Sequence, residues 1–335
     1  MHIRCAVLLR FVAASSVLVL ALACPARAQD KIRFAGNFET AHPSSVAMEK
    51  IFKPELSKLT KNQLTVDLFP AMQLGGAKEN VDAVRSGSLL MTWVGAAYLS
   101  RIIPELEAIG LPFLFPSREV AFKVMDGSVG KLIEQKLAEK NLLSLGWMDL
   151  GERHVTNNRR PIKTVEDLKG LKIRLQPNET HLETFRALGA NAVAMDVKEL
   201  YSALEQHVMD AQENPYTIIR AARYSEVQKY LSNTGHFFDF IAIIANKRLF
   251  EALKPEYQKA VREAMVAAVA YQRKLAVDTD REAFEEIRKK MQFDEVPPAE
   301  REKMRKASAG VVEQVKKRAG AQLVDQVIAE VAKAR

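Results

Sequence analysis

Two features of this chain have the chemistry to grip an anion. Arg174 closes the alternating run Leu171-Lys172-Ile173-Arg174, and the polar cluster Gln212-Glu213-Asn214 follows about forty residues later. A helix, strand, helix pattern lies between them. In α/β folds, ligands bind beyond the carboxyl ends of strands. An arginine at one strand end and an amide at the next therefore form a candidate carboxylate clamp. Guanidinium is a planar fork that matches a carboxylate bidentately. Asparagine adds a neutral donor without adding charge. The bland alternatives are a solvated arginine at a strand edge and, for Asn214 before Pro215, a helix start.

Other chemistry is hard to find. Gly75-Gly76-Ala77-Lys78 lacks the spacing and the Ser/Thr of a phosphate-binding loop and reads as a turn before a helix. The six histidines are dispersed, none paired with another at metal-ligand spacing. No GxSxG elbow is present. Carboxylate pairs such as Glu285-Glu286 lie on charge-rich helical stretches, which reads as a solvated face. No cofactor is expected.

The start of the chain has the layout of a secretory leader. Arg4 and Arg10 supply positive charge, Phe11 to Ala23 is apolar, and Ala26-Arg27-Ala28 is a small-x-small cleavage site, so residues 1–28 are expected to be removed. A lipoprotein anchor at Cys24 is the rival reading. Ala21, where a larger aliphatic is preferred, and Pro25 both weigh against it. The leader contains both cysteines and three arginines, which leaves a net charge of +5 and no means of forming disulfides. That charge is mild, and no basic run is interleaved with aromatics, so nucleic acid is not an expected partner. Stability must come from a large core, and the length suits two domains.

These elements must position the clamp. Strand patterns at 31–36, 64–69 and 89–94 alternate with helical ones at 43–59, interrupted by Pro54, and 77–86, which favours a parallel sheet with helices on its faces. Residues 117–140 read as one helix and 142–147 as a strand. The polar stretch 151–160 looks like a crossing into a second domain, where a fresh β-α-β-α pattern begins. Residues 231–245 are aromatic and β-branched, long enough to run between two sheets. Beyond Lys247 nearly all is helical, and 254–290 would span about 55 Å.

Several pieces together resemble the DctP-type solute-binding proteins of tripartite ATP-independent periplasmic (TRAP) transporters. They are Arg153 before Thr156-Asn157-Asn158, Glu166 through Arg174, Leu188-Gly189-Ala190, Glu199 through Leu204 and Asp210 through Pro215. Upstream, Gln73-Leu74-Gly75 and Leu111 through Pro116 also fit. The resemblance implies an α/β, two-lobe periplasmic binding protein fold, each lobe a sheet flanked by helices, with a long bridging helix. Lobe I is expected over 29–150 plus about 240–280, and lobe II over 151–239 plus about 281–335. It implies a monomer that captures a small organic acid in the periplasm and delivers it to membrane permease subunits.

The resemblance also assigns roles. Arg174 pairs with the ligand carboxylate, Arg153 is a second carboxylate-binding arginine, and Asn214 is the amide contact. Asn37, Trp93 and Gly95 belong to the first lobe, which closes over the ligand about hinges near 150–151 and 238–241. Gln212 and Glu213 line the cleft or merely satisfy backbone groups. Sialic-acid-binding members place polar groups where this chain has Gly76, Gly95, Tyr98 and Pro177. A polyol needs many hydrogen bonds, so a smaller or more apolar acid is expected: a dicarboxylate, a keto acid or an aromatic acid. A sensor docking on a receptor and an exported hydrolase are the rival functions.

Overall fold

A computed structural model describes residues 30–335; the predicted leader, residues 1–28, lies outside the described residues. One nine-stranded sheet runs through the molecule. Its strands are β1 (Asp30–Gly36), β2 (Leu64–Phe69), β3 (Met91–Gly95), β4 (Leu142–Asn157), β5 (Lys172–Leu175), β6 (Asn191–Ala194), β7 (Ala211–Asn214), β8 (Tyr230–Asn246) and β9 (Gln292–Asp294). Their spatial order is β2-β1-β3-β8-β4-β7-β5-β6, with β9 paired to β8. Parallel β1, β2 and β3 form one end, and parallel β5, β6 and β7 form the other. The antiparallel pair β4 and β8 belongs to both.

The polar stretch after Leu150 is extended strand as far as Asn157. It is the second half of a sixteen-residue strand. Polar residues persist there because this part of β4 enters the functional region. Likewise 230–246 is one strand of one sheet. Its residues alternate between cores, as the two-residue period requires. Phe238, Phe240, Ala242 and Ile244 join one cluster, while Ile241, Ile243 and Ala245 join that on the other face. Helices cover both faces, so nearly the whole strand is buried, with an unbroken apolar run from Phe240 to Ala245.

Three local departures have physical reasons. Pro54 does not interrupt the helical segment over 43–59, because a π-turn over Met48–Phe52 precedes it and Lys53 N donates to Met48 O. The predicted helix over 117–140 is two helices, Arg118–Met125 and Ser128–Glu139, split at Gly127, whose φ −96° and ψ −147° lie outside the helical region. The third concerns lobe boundaries. The helices Val311–Ala319 and Ala321–Ala334 bury their apolar stripe in lobe I, while Arg318 reaches across to Glu183 of lobe II. Their stripe of Val311, Val315, Leu323, Val324, Val327 and Val331 covers the helices at 118–139. The amphipathic spacing is visible in the sequence; which lobe it covers is not.

The helix Pro255–Ile287, about 50 Å long, bridges the lobes. Val261, Met265 and Ala268 pack into lobe I, and Ile287 into lobe II. It also holds β4 where that strand changes lobes. The buried amide of Gln272 accepts from Asp149 N at 2.9 Å and donates to Asp149 O at 2.7 Å. Register shifts follow at Asp149/Gly151 and Arg153/Val155. Gly151 adopts φ +112°, a conformation that L side chains rarely reach.

Arg118 binds Asp149 here and lies 3.9 Å from Asp280 on the long helix. Burial, aided by the neighbouring charge of Asp280, pushes the Asp149 carboxyl up to about 6 against the pull of Arg118. A carboxyl with a raised folded-state pKa contributes stability that is fully present below its unfolded value, near 4, and lost as pH rises through about 6. Asp149→Asn should therefore remove a pH dependence of about 1–3 kcal/mol between pH 7 and pH 4. Urea unfolding of both proteins across that range is the measurement. Parallel stability curves would refute the assignment.

Candidate functional site

Arg174 and Arg153 are both almost fully buried where the lobes meet, yet their surroundings differ. Arg153, on β4 at a bulge, is saturated. Its Nε and Nη2 bind the Glu213 carboxylate at 2.5 and 2.8 Å, and Nη2 also reaches Glu213 O and Asn214 Oδ1. Nη1 lies 3.4 Å from Asp239. His236 completes the group, with Nε2 at 3.0 Å from Glu213 and Nδ1 at 2.7 Å from Thr234 Oγ1. A carboxylate only accepts, so His236 Nε2 carries the proton. Burial lowers the histidine's pKa and keeps it neutral. Burial opposes ionisation of Glu213 too, but Arg153 and the His236 hydrogen bond hold its carboxyl well below the usual range.

The polar cluster is internally bonded as well. Asn214 Nδ2 donates to Gln212 Oε1 at 2.6 Å, Gln212 Nε2 to Thr156 Oγ1 at 2.8 Å, and Thr156 to Gln228 at 3.0 Å. Gln212 and Glu213 thus serve buried protein groups, and neither borders the inter-lobe cavity described below.

Arg174, on β5, is less occupied. Nε donates to Met195 O at 2.8 Å and Nη2 to the Tyr98 hydroxyl at 3.0 Å. Among the described residues, Nη1 has no hydrogen-bond partner. Tyr98 stands on lobe I, and its oxygen also accepts from Val197 N at 3.1 Å. With both acceptor positions taken, its O–H is left to donate. Burial raises the Tyr98 pKa, so the proton stays.

A cavity of about 440 Å³ opens between the lobes; Val197, whose N donates to the Tyr98 hydroxyl, lines it, whereas Arg174, Tyr98, Arg153 and Asn214 do not. Asn37, Phe38 and His42 line one side, and Val197, Tyr201 and Tyr224 the other. The Asn37 amide makes no hydrogen bond with the protein, and its Oδ1 is buried. His42 Nδ1 accepts from Ser44 N at 3.2 Å, so its Nε2 carries the proton, and that buried donor is also unpartnered. Burial and the charge of Arg220 lower the His42 pKa to about 3, which keeps the ring neutral.

Two first-lobe expectations land elsewhere. Trp93 is in the lobe I core, edge-on to Phe34 with ring centroids 4.7 Å apart, and does not border the cavity shared by the lobes. Strand alternation turns it inward. Gly95 does meet the opposite lobe: a Cβ there would lie 3.1 Å from Gln176 Oε1. Gln176 in turn donates to Asp239 at 2.9 Å. The sequence reading did not weigh His42, Gln176, His236 or Asp239 as site residues. Asp239 had a usable signal, a lone acid inside the longest aromatic and β-branched run, since buried polar residues are the informative ones.

Leaving Arg153 buried without its main counter-charge should be costly. Glu213→Ala is expected to lower unfolding stability by about 3–5 kcal/mol, measured by urea denaturation at pH 7.

The 2,3-diketo-L-gulonate-binding periplasmic protein YiaO of Escherichia coli is 37% identical over 253 residues, 75% of this chain and 76% of that protein. The sugar acid binding protein DctPAm of Advenella mimigardefordensis, solved with galactonate, has a TM-score of 0.89 at 33% identity, covering 91% of this chain and 98% of that one. A TRAP periplasmic solute-binding protein of Polaromonas, bound to D-erythronate, has a TM-score of 0.85 at 31% identity, covering 90% and 98%. All three are binding proteins, which sets the hydrolase reading aside. The model of the bacterial extracellular solute-binding proteins, family 7 (DctP), matches residues 34–318. The chain belongs to that family and is a solute-binding protein of the TRAP type, not an enzyme.

Proposed function

We propose that the ligand is a hydroxylated monocarboxylic acid of the sugar-acid class, held by one arginine. The observation that carries this reading is the contrast between the two buried guanidiniums. Glu213 and Asp239 already neutralise Arg153, whereas Arg174 keeps an unpaired Nη1 next to the free O–H of Tyr98. A single carboxylate can accept from both donors; Asn214 is committed to Arg153 and Gln212. The cations that line the cavity, Lys198 and Arg223, are exposed and already paired with Glu79 and Glu226.

The rest of the wall supports hydroxyls. Asn37 offers an unpartnered acceptor and His42 an unpartnered neutral donor. Buried groups of this kind are costly when left unpaired, and ligand hydroxyls satisfy both kinds. This moves the expectation away from an apolar or dicarboxylic ligand. Diketogulonate, galactonate and erythronate, the acids bound by the three related proteins, all fit that description.

In this reading the leader ending at Ala28 sends the protein to the periplasm, where family members work. There it binds the acid as a monomer, closes and delivers it to a membrane permease. No described helix is long and apolar enough to cross a membrane.

Calorimetry with D-galactonate, D-erythronate, succinate and neutral galactose tests the ligand class. The two aldonates should bind, and galactose and succinate should bind at least tenfold more weakly; preference for succinate would overturn the proposal. Arg174→Ala should lose about 2–5 kcal/mol of binding, because the buried anion is left unpaired. Tyr98→Phe, which removes only the donor, should lose about 1 kcal/mol. An Arg174→Ala protein binding like wild type would exclude that residue as the anchor.

A further inference from the structure

The helix Ala77–Ser86 on lobe I starts at Gly76, which has no side chain to cap it. Its first turn is capped from the other lobe instead. Asp196 Oδ2 accepts from Lys78 N at 3.1 Å, across 118 residues of sequence. The other oxygen of the same carboxylate accepts from Lys198 N at 3.0 Å and caps the helix Val197–Glu205 on lobe II. One side chain thus caps two helices on opposite lobes. A negative charge is favourable at each helix start, where free N–H groups and the helix dipole converge.

Gly76 bears independent witness to this contact. Its φ of −66° and ψ of 176° are ordinary extended values, open to any residue. Its lack of a side chain matters because Asp196 approaches it: a Cβ would lie 2.8 Å from Asp196 Oδ1 and 3.0 Å from Cγ. Two more cross-lobe contacts gather at the same turn. The Tyr98 hydroxyl accepts from Val197 N, and Lys198 Nζ lies 3.8 Å from Glu79, which itself accepts from Gly76 N.

We propose that Asp196 is a closure latch. It does not line the inter-lobe cavity, whereas its neighbours Val197 and Lys198 do. It binds lobe I only when the lobes are shut, so it stabilises the closed state without touching ligand. It is a positioning residue that sets how long the closed complex lasts. The inference concerns closure and rests only in part on the ligand class proposed above.

Two variants isolate the latch. Asp196→Ser keeps a good capping oxygen for its own helix but is too short, with too few oxygens, to serve both. Gly76→Ala leaves Asp196 intact and fills the space it approaches. D-galactonate dissociation is followed by stopped flow. Cross-lobe distances are measured between spin labels at cysteines introduced for the exposed Lys58 and Glu205, with and without galactonate. The chain's own cysteines, Cys5 and Cys24, both precede residue 30.

Each variant should dissociate galactonate about tenfold faster, as loss of one cap predicts, and populate the short-distance state less, with an unchanged melting temperature when ligand-free. Wild-type dissociation and distances in both variants would overturn the latch. If Asp196→Ser lowers the melting temperature, Gly76→Ala decides alone. If wild type does not bind galactonate, the ligand class is wrong, and the ligand-free distances decide the latch: a short-distance population larger in wild type than in the variants supports it, and equal populations overturn it.

Discussion

The ion pair of Arg153 with Glu213 governs the charge of the whole inter-lobe region. A guanidinium cannot be left unpaired in a site this dry. Glu213 supplies the counter-charge from β7, while His236 and Asp239 on β8 brace the pair. Three neighbouring strands are thereby locked where the lobes join. The neutralised pair leaves the spare cationic capacity to Arg174, one strand further along the sheet.

The sheet imposes the second constraint. Because β4 and β8 pass through both lobes, the lobes cannot separate; they can only bend relative to one another. The register shifts in β4 and the positive φ of Gly151 mark where the ladder is weakest. The long helix limits that bend, since Gln272 grips the backbone of Asp149 from the side. Motion about such a hinge is rotation about a few residues, the usual form of closure around a ligand.

Much of this was legible in the sequence. Alternation and helical spacing placed most elements, because both periods are local properties of the chain. Arg174 stood out because it closes an alternating apolar run, one residue before β5 ends. What escaped was non-local. Nothing in 151–160 says that polar residues continue a strand, because their partners are Asn214, Glu213 and the 230s. Nothing near Arg153 says that its charge is already matched. The stripe on the helices after residue 311 announces burial but not its destination. His42 is conspicuous only once its ring is seen at a cavity wall.

The return of the C-terminal helices to lobe I has a consequence for how the chain matures. The core of that lobe contains both Ala35 and Val331. Contacts separated by so much sequence close slowly, because the loop entropy is lost before the contact is gained. A chain emerging from a membrane pore amino end first would have to hold the lobe I sheet partly uncovered until the last helices arrived. Lobe II, whose clusters draw mainly on residues 155 to 304, is complete in sequence before that point. The half of the molecule that carries Arg174 is thus able to fold first, and the half that closes over it last.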